Sequence, residues 1–119
     1  MLNTEMITIY GIKNCDTMKK AMKWLKDNGI EFTFHDVRKD GLDEKQIIAW
    51  EKELGWEVLL NRRGMLWRKV DQATKDAIDK KSAIELMKKD AGIIKRPVLD
   101  LGDKRIVGFS EDDYRELFL

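Results

Sequence analysis

Ile7-Thr8-Ile9-Tyr10-Gly11-Ile12-Lys13-Asn14-Cys15 decides how the rest of this chain is read. Alternating β-branched and aromatic residues make the first half a buried strand, with Met6 to Tyr10 as its expected extent. Gly11 to Asn14 reads as a loop. Helical periodicity begins immediately after Cys15: Met18, Ala21, Met22 and Leu25 follow the i, i+3, i+4, i+7 pattern, and Asn28-Gly29 closes the helix. The chain's one cysteine therefore stands at a strand-to-helix joint. Unpaired backbone N–H groups and the positive end of a helix dipole favour thiolate over thiol there. A free cysteine also serves as a small buried hydrophobe, and position alone does not choose between the two.

Working outward, Phe32 to Val37 is a second strand, which completes a β-α-β unit with parallel strands. The middle of the chain is helical. Asp43 with Gln46 reads as a capping box for a helix ending at Leu54 before Gly55, with Ile47, Trp50 and Leu54 on one face. Val58-Leu59-Leu60 leads into the polar loop Asn61-Arg62-Arg63-Gly64. A short helix is expected between about Asp71 and Lys80, and Ser82 with Glu85 marks a further capping box for a helix to about Asp90. The last third returns to β structure. Pro97 to Asp100 and Arg105 to Val107 are strands joined by a Gly102-Asp103 turn, hence antiparallel. Ser110 caps a final helix, with Phe109 and Tyr114 placed as a hydrophobic staple. The fold class that follows is α/β: a single domain over 1–119 with a thioredoxin-like mixed sheet, β-α-β then β-β-α, and a helical insert subdomain at about 42–90.

Composition narrows the function. With 119 residues the chain can bury a core without covalent staples. One cysteine excludes an internal disulfide, and one His beside one Cys argues against a metal site. A lone thiol fits a reducing, cytoplasmic setting. Met1 to Glu5 is too short and polar for a signal peptide, and no apolar run approaches the ~20 residues that span a bilayer. The 23 basic and 22 acidic residues leave a net charge of +1, which argues against direct nucleic-acid binding. No heptad pattern is present, so a monomer is expected.

Three groups carry chemistry. Cys15 has Met18 where a Cys-x-x-Cys motif would place its second thiol, so a redox partner must come from another molecule, glutathione being the obvious candidate. Arg96-Pro97 holds the only proline. It fits an ordinary strand start. A cis bond would place Arg96 beside the thiol, where it could lower the pKa or hold an anion. Arg62 and Arg63 precede Gly64 in a loop, where arginine forks suit carboxylate or oxyanion ligands and where a solvated loop is the plainer reading. His35 lies in a strand and reads as structural. Trp24, Trp50, Trp56 and Trp67 read as packing residues.

Residues 7–17, Leu59-Leu60-Asn61-Arg62-Arg63-Gly64 with Trp67-Arg68, the pair Arg96-Pro97, and Val107-Gly108-Phe109-Ser110 together resemble the Spx/arsenate-reductase (ArsC) family, most closely its YffB-like branch. The resemblance runs from Met6 to Leu119. It implies a thioredoxin-like fold with a helical insert, cytoplasmic thiol chemistry coupled to glutathione or glutaredoxin, and a catalytic cysteine at Cys15. Asn14 joins the arginines as a substrate- or anion-binding candidate. Of the three arginines that bind the oxyanion in glutaredoxin-linked arsenate reductases, one maps to Arg62 or Arg63, with Arg63 closer to the YffB-like pattern. A second maps to Arg96, before a cis-proline. The third falls on Gly108, and the reductases' histidine ahead of the cysteine falls on Gly11. A missing guanidinium removes a charge-assisted contact of about 1.5–3 kcal/mol, which argues against arsenate as the natural substrate. The resemblance thus implies a glutathione-dependent monothiol reductase with no bound cofactor and glutathione as co-substrate. Its alternatives are an Spx-like regulator that binds RNA polymerase without turnover and a residual glutaredoxin-linked arsenate reductase.

Overall fold

A computed structural model describes residues 7–119; the expected strand residue Met6 and the polar start, Met1 to Glu5, lie outside them. The chain divides into two compact units. One runs up to Asp36 and resumes from Arg96 to Leu119; the other is Val37–Lys95.

The first unit is a four-stranded mixed sheet in the order β2-β1-β3-β4, built from β1 (Thr8–Gly11), β2 (Thr33–Asp36), β3 (Val98–Asp100) and β4 (Arg105–Val107). β1 pairs parallel with β2, and β3 is antiparallel to both β1 and β4. Helix α1 (Asp16–Asp27) connects the parallel strands. This is the thioredoxin-like arrangement the sequence implies. β1 reaches one residue further than expected: Gly11 is its last residue, in register with Asp36, and not the first residue of the loop.

The expected face of α1 is buried at Met18, Ala21 and Leu25; Met22 is only partly buried against the same core, and Trp24 is buried in addition. Met18, Ala21, Trp24 and Leu25 form one core cluster with Ile7, Ile9, Leu99 and Tyr114. Each large apolar side chain so buried contributes about 1.5–3 kcal/mol, more than any surface ion pair offers. The final helix of the unit, completing the fold at Glu111–Phe118, is capped by Ser110, whose Oγ accepts from the Asp113 amide at 3.3 Å. Phe109 and Tyr114 close the staple edge-to-face, ring centroids 4.8 Å apart.

The second unit is helical: α2 (Glu44–Leu54), α3 (Trp56–Leu59), α4 (Met65–Arg68), α5 (Gln72–Asp76) and α6 (Lys80–Lys89), followed by a 3₁₀ turn at Ala91–Ile93; the helix at Glu111–Phe118 is accordingly α7. Ile47, Trp50, Leu59, Leu60, Ala83, Met87, Ile93 and Ile94 are buried. Leu60 bridges Ile94, with the Asn61 amide donating to the Ile93 carbonyl at 2.9 Å.

Four expectations need correction here. Asp43 precedes α2 as its N-cap but makes no side-chain capping bond, so the Asp43/Gln46 box does not form. The box of α6 is Asp79 with Ser82: the Ser82 amide donates to Asp79 Oδ1 and the Asp79 amide to Ser82 Oγ, both at 2.9 Å. Ser82 is thus the third residue of the helix and not its cap, because an acidic acceptor lies three positions earlier. The helix expected from about Asp71 to Lys80 stops at Asp76, and α6 has already begun by Lys80. Finally, α3 overlaps the stretch read as the approach to the loop, and α4 follows the loop Asn61-Arg62-Arg63-Gly64 where no element is expected. A helix of four residues is one turn, too short to display a period.

Candidate functional site

Cys15 is the N-cap of α1, with extended backbone (φ −132°, ψ 125°), and its carbonyl accepts the first helical bond from Lys19 at 3.0 Å. The thiol is partly exposed. The Cys15 side chain makes no capping hydrogen bond, but donors near the sulfur favour its anion. Partial burial pushes the thiol pKa up; the Met18 amide, the Arg96 guanidinium by hydrogen bond and charge, and the Thr17 amide outweigh it, and the net direction is down. Amides in the first helical turn have no carbonyl partner within the helix, which leaves them available to an anion at the cap. Cys15 is therefore biased towards thiolate, the form that attacks disulfides.

Arg96 comes from the other end of the same unit. The Arg96–Pro97 bond is cis, Pro97 is buried, and its carbonyl accepts from the Gly108 amide at 2.8 Å. Gly108 has φ +86°, in the left-handed region where a side chain is strained. The position where the resemblance puts a third arginine thus has a backbone geometry that itself suits glycine.

Among the sequence candidates, Asn14, Cys15, Arg96 and Pro97 belong to one unit, with Asn14 exposed on the approach to the cysteine. Arg62 and Arg63 belong to the helical unit. They sit between α3 and α4 in a turn closed by the Arg63 amide donating to Asn61 Oδ1 at 3.1 Å. Both arginines are exposed; the Arg62 guanidinium lies over the Trp56 ring, 5.7 Å from its centroid. His35 packs against Tyr10 across the β1–β2 pair, the rings tilted by 43° with centroids 4.9 Å apart. Trp24 and Trp50 are buried, and Trp67, like Trp56, carries a cation over its ring, Lys75 at 5.7 Å.

Met18 is the residue that sequence reasoning undervalued. It was legible only as a core position and as the place of an absent second thiol. In the structure it is fully buried, and its amide is the strongest influence favouring the Cys15 anion. Among the described residues no cluster of three or more His, Cys, Asp or Glu side chains could hold a metal ion, and no helix is long and apolar enough to cross a membrane.

These features coincide with a known pattern. The ArsC family pattern matches residues 10–117, and the chain belongs to the ArsC family, in its YffB-like branch. The solved structure of a YffB protein is 44% identical, with a TM-score of 0.90 over 95% of this chain and 99% of its own. An arsenate reductase (ArsC) related protein from Brucella melitensis is 46% identical, with a TM-score of 0.81 over 98% and 97% of the two chains. Global transcriptional regulator Spx 1 of Oceanobacillus iheyensis is 31% identical over 113 residues, 92% of this chain and 85% of the regulator. The chain is thus similar both to an arsenate reductase-related protein and to an Spx regulator.

Proposed function

We propose that the protein is a glutathione-dependent thiol oxidoreductase working through Cys15 alone. The Cys15 thiolate attacks the glutathione sulfur of a mixed disulfide on a substrate. A Cys15–glutathione disulfide forms and the substrate thiolate leaves, to be protonated. A second glutathione thiolate then attacks the glutathione sulfur of that adduct, releasing glutathione disulfide and restoring the Cys15 thiolate. The proton given up by the incoming glutathione balances the one taken by the substrate thiolate, and the net change is a disulfide exchange: one glutathione is consumed, the substrate thiol is freed, and the glutathione disulfide combines the incoming glutathione with the one the substrate carried. Arg96, with Asn14 on the approach to the thiol, is the candidate for holding a glutathione carboxylate or another anionic group.

The observation that carries this reading is the Arg96 guanidinium at the sulfur of a helix-capping cysteine that has no second thiol in the chain. The test is turnover of a small disulfide with glutathione, coupled to glutathione reductase, together with intact-protein mass spectrometry. A single glutathione adduct lost in Cys15→Ser, with turnover lost alongside it, is the expected result. Absence of both adduct and turnover in the wild type sinks the proposal.

A second reading has its own support in the Spx relatives: a module that binds RNA polymerase without turnover. Retention of polymerase from lysate equally by wild type and Cys15→Ser would favour it. Arsenate reduction with glutaredoxin is a third, weakened by Gly108, where the family's third arginine is missing.

A further inference from the structure

We infer that Gly11 and Met18 interlock to aim the Met18 amide at the Cys15 sulfur, which makes both of them positioning residues for the thiolate. The inference rests on the reading of Cys15 as the nucleophile and adds what holds its main stabilising donor in place. Gly11 is buried at the end of β1, fixed on β2 by its register with Asp36. Its φ is not in the left-handed region, unlike Gly29, Gly41, Gly55, Gly102 and Gly108, so its backbone conformation does not call for glycine. Space does. A Cβ on Gly11 would stand 2.6 Å from Met18 Cε and 3.0 Å from Cγ, with Sδ nearer still.

Met18 is the third residue of α1 and fully buried, in the same core cluster as Ile9, Ala21 and Leu25. A methionine side chain is adaptable, but an enclosed one yields only by moving its neighbours or its own backbone. Its backbone is the first turn of α1, whose amides at Thr17 and Met18 face the sulfur. The thioether seated on Gly11 therefore ties the strand end to the helix start across the residues between, Ile12 to Cys15. Ordinary core packing would account for Met18 being buried. It would not make the titration of Cys15 depend on whether residue 11 has a side chain.

The test is a double-mutant cycle read by the ultraviolet absorbance of the Cys15 thiolate against pH, with the fold of each variant checked by circular dichroism. Gly11→Ala adds the colliding Cβ, and Met18→Val deletes Sδ and Cε while keeping the amide. Each single change is expected to raise the titration midpoint by about 0.5 pH unit or more, and the double variant to restore it, because the new Cβ fills the vacated space. Should Gly11→Ala fail to fold, Met18→Val alone carries the test. A wild-type midpoint at the ordinary thiol value would remove the nucleophile reading and this inference together. A depressed wild-type midpoint that the folded single variants leave in place would overturn the interlock alone.

Discussion

The Arg96 guanidinium reaches the sulfur of Cys15, although the two residues lie at opposite ends of the sheet's sequence and meet only because β1 and β3 are neighbours. Arg96 is expected to lower the thiol pKa by both hydrogen bond and charge. Arg96→Ala should raise the Cys15 titration midpoint, and slow alkylation by iodoacetamide at pH 6 by several-fold. Arg96→Lys should recover only part of the shift, since an ammonium offers charge without the planar fork. Equal alkylation rates for wild type and Arg96→Ala would show that the guanidinium does not act on the thiol.

The lowered thiol pKa also makes stability depend on pH, with a definite sign. Well below the native pKa both folded and unfolded thiols are protonated and Cys15 contributes nothing. Between the native pKa and the ordinary thiol value of about 8.5, the unfolded chain binds more protons, so the wild type gains stability as pH rises. The gain is complete above the ordinary value and is lost as pH falls through the native pKa. Urea denaturation of wild type and Cys15→Ser across this range should give a difference that grows with pH in that window. A flat difference would contradict a depressed Cys15 pKa.

Gly108→Arg offers the family's missing arginine at the position where it would stand. With φ +86° at this residue, a side chain costs about 1–2 kcal/mol of backbone strain. The substitution should lower the denaturation midpoint and yield no arsenate-reductase activity with glutaredoxin, because the strained backbone also carries the Gly108 amide's bond to the Pro97 carbonyl. Measurable arsenate turnover in a stable Gly108→Arg protein would show that the backbone tolerates the side chain and that the missing arginine is what withholds arsenate from the wild type.

Ser110→Ala removes the oxygen that accepts from the Asp113 amide at the start of α7. A lost N-cap costs about 1 kcal/mol. Thermal unfolding should shift downward by a few degrees, while the Cys15 titration stays where it is. A moved titration would mean that α7 and the site are coupled in a way the core packing does not suggest.

What the sequence made legible was whatever depends on neighbours in the chain. The alternation of Ile7 to Tyr10, the period of Met18, Ala21 and Leu25, the Gly102-Asp103 turn, and the Phe109/Ser110/Tyr114 cap and staple are local patterns, and each corresponds to its element. Competing local signals misled where two residues could cap the same helix: Asp79 and Ser82 both can, and their reciprocal bonds make Asp79 the cap. One-turn helices such as Trp56–Leu59 left no period to read. The site was legible in its residues and not in its geometry. Cys15 and Arg96 could be named from motifs, but the fit of Met18 onto Gly11 arises from a strand end meeting a helix start, which no spacing rule encodes.

Met18 standing three residues after Cys15, in a chain with one cysteine, has a consequence for how an oxidised form would respond to its surroundings. A pair of thiols closing a ring consumes one external disulfide and releases two thiols, so its oxidised fraction follows disulfide concentration over the square of thiol concentration. A single thiol exchanges one for one, and its mixed-disulfide fraction follows the plain ratio of the two. Such a protein would be indifferent to the total size of the thiol pool and would register only what share of it is oxidised.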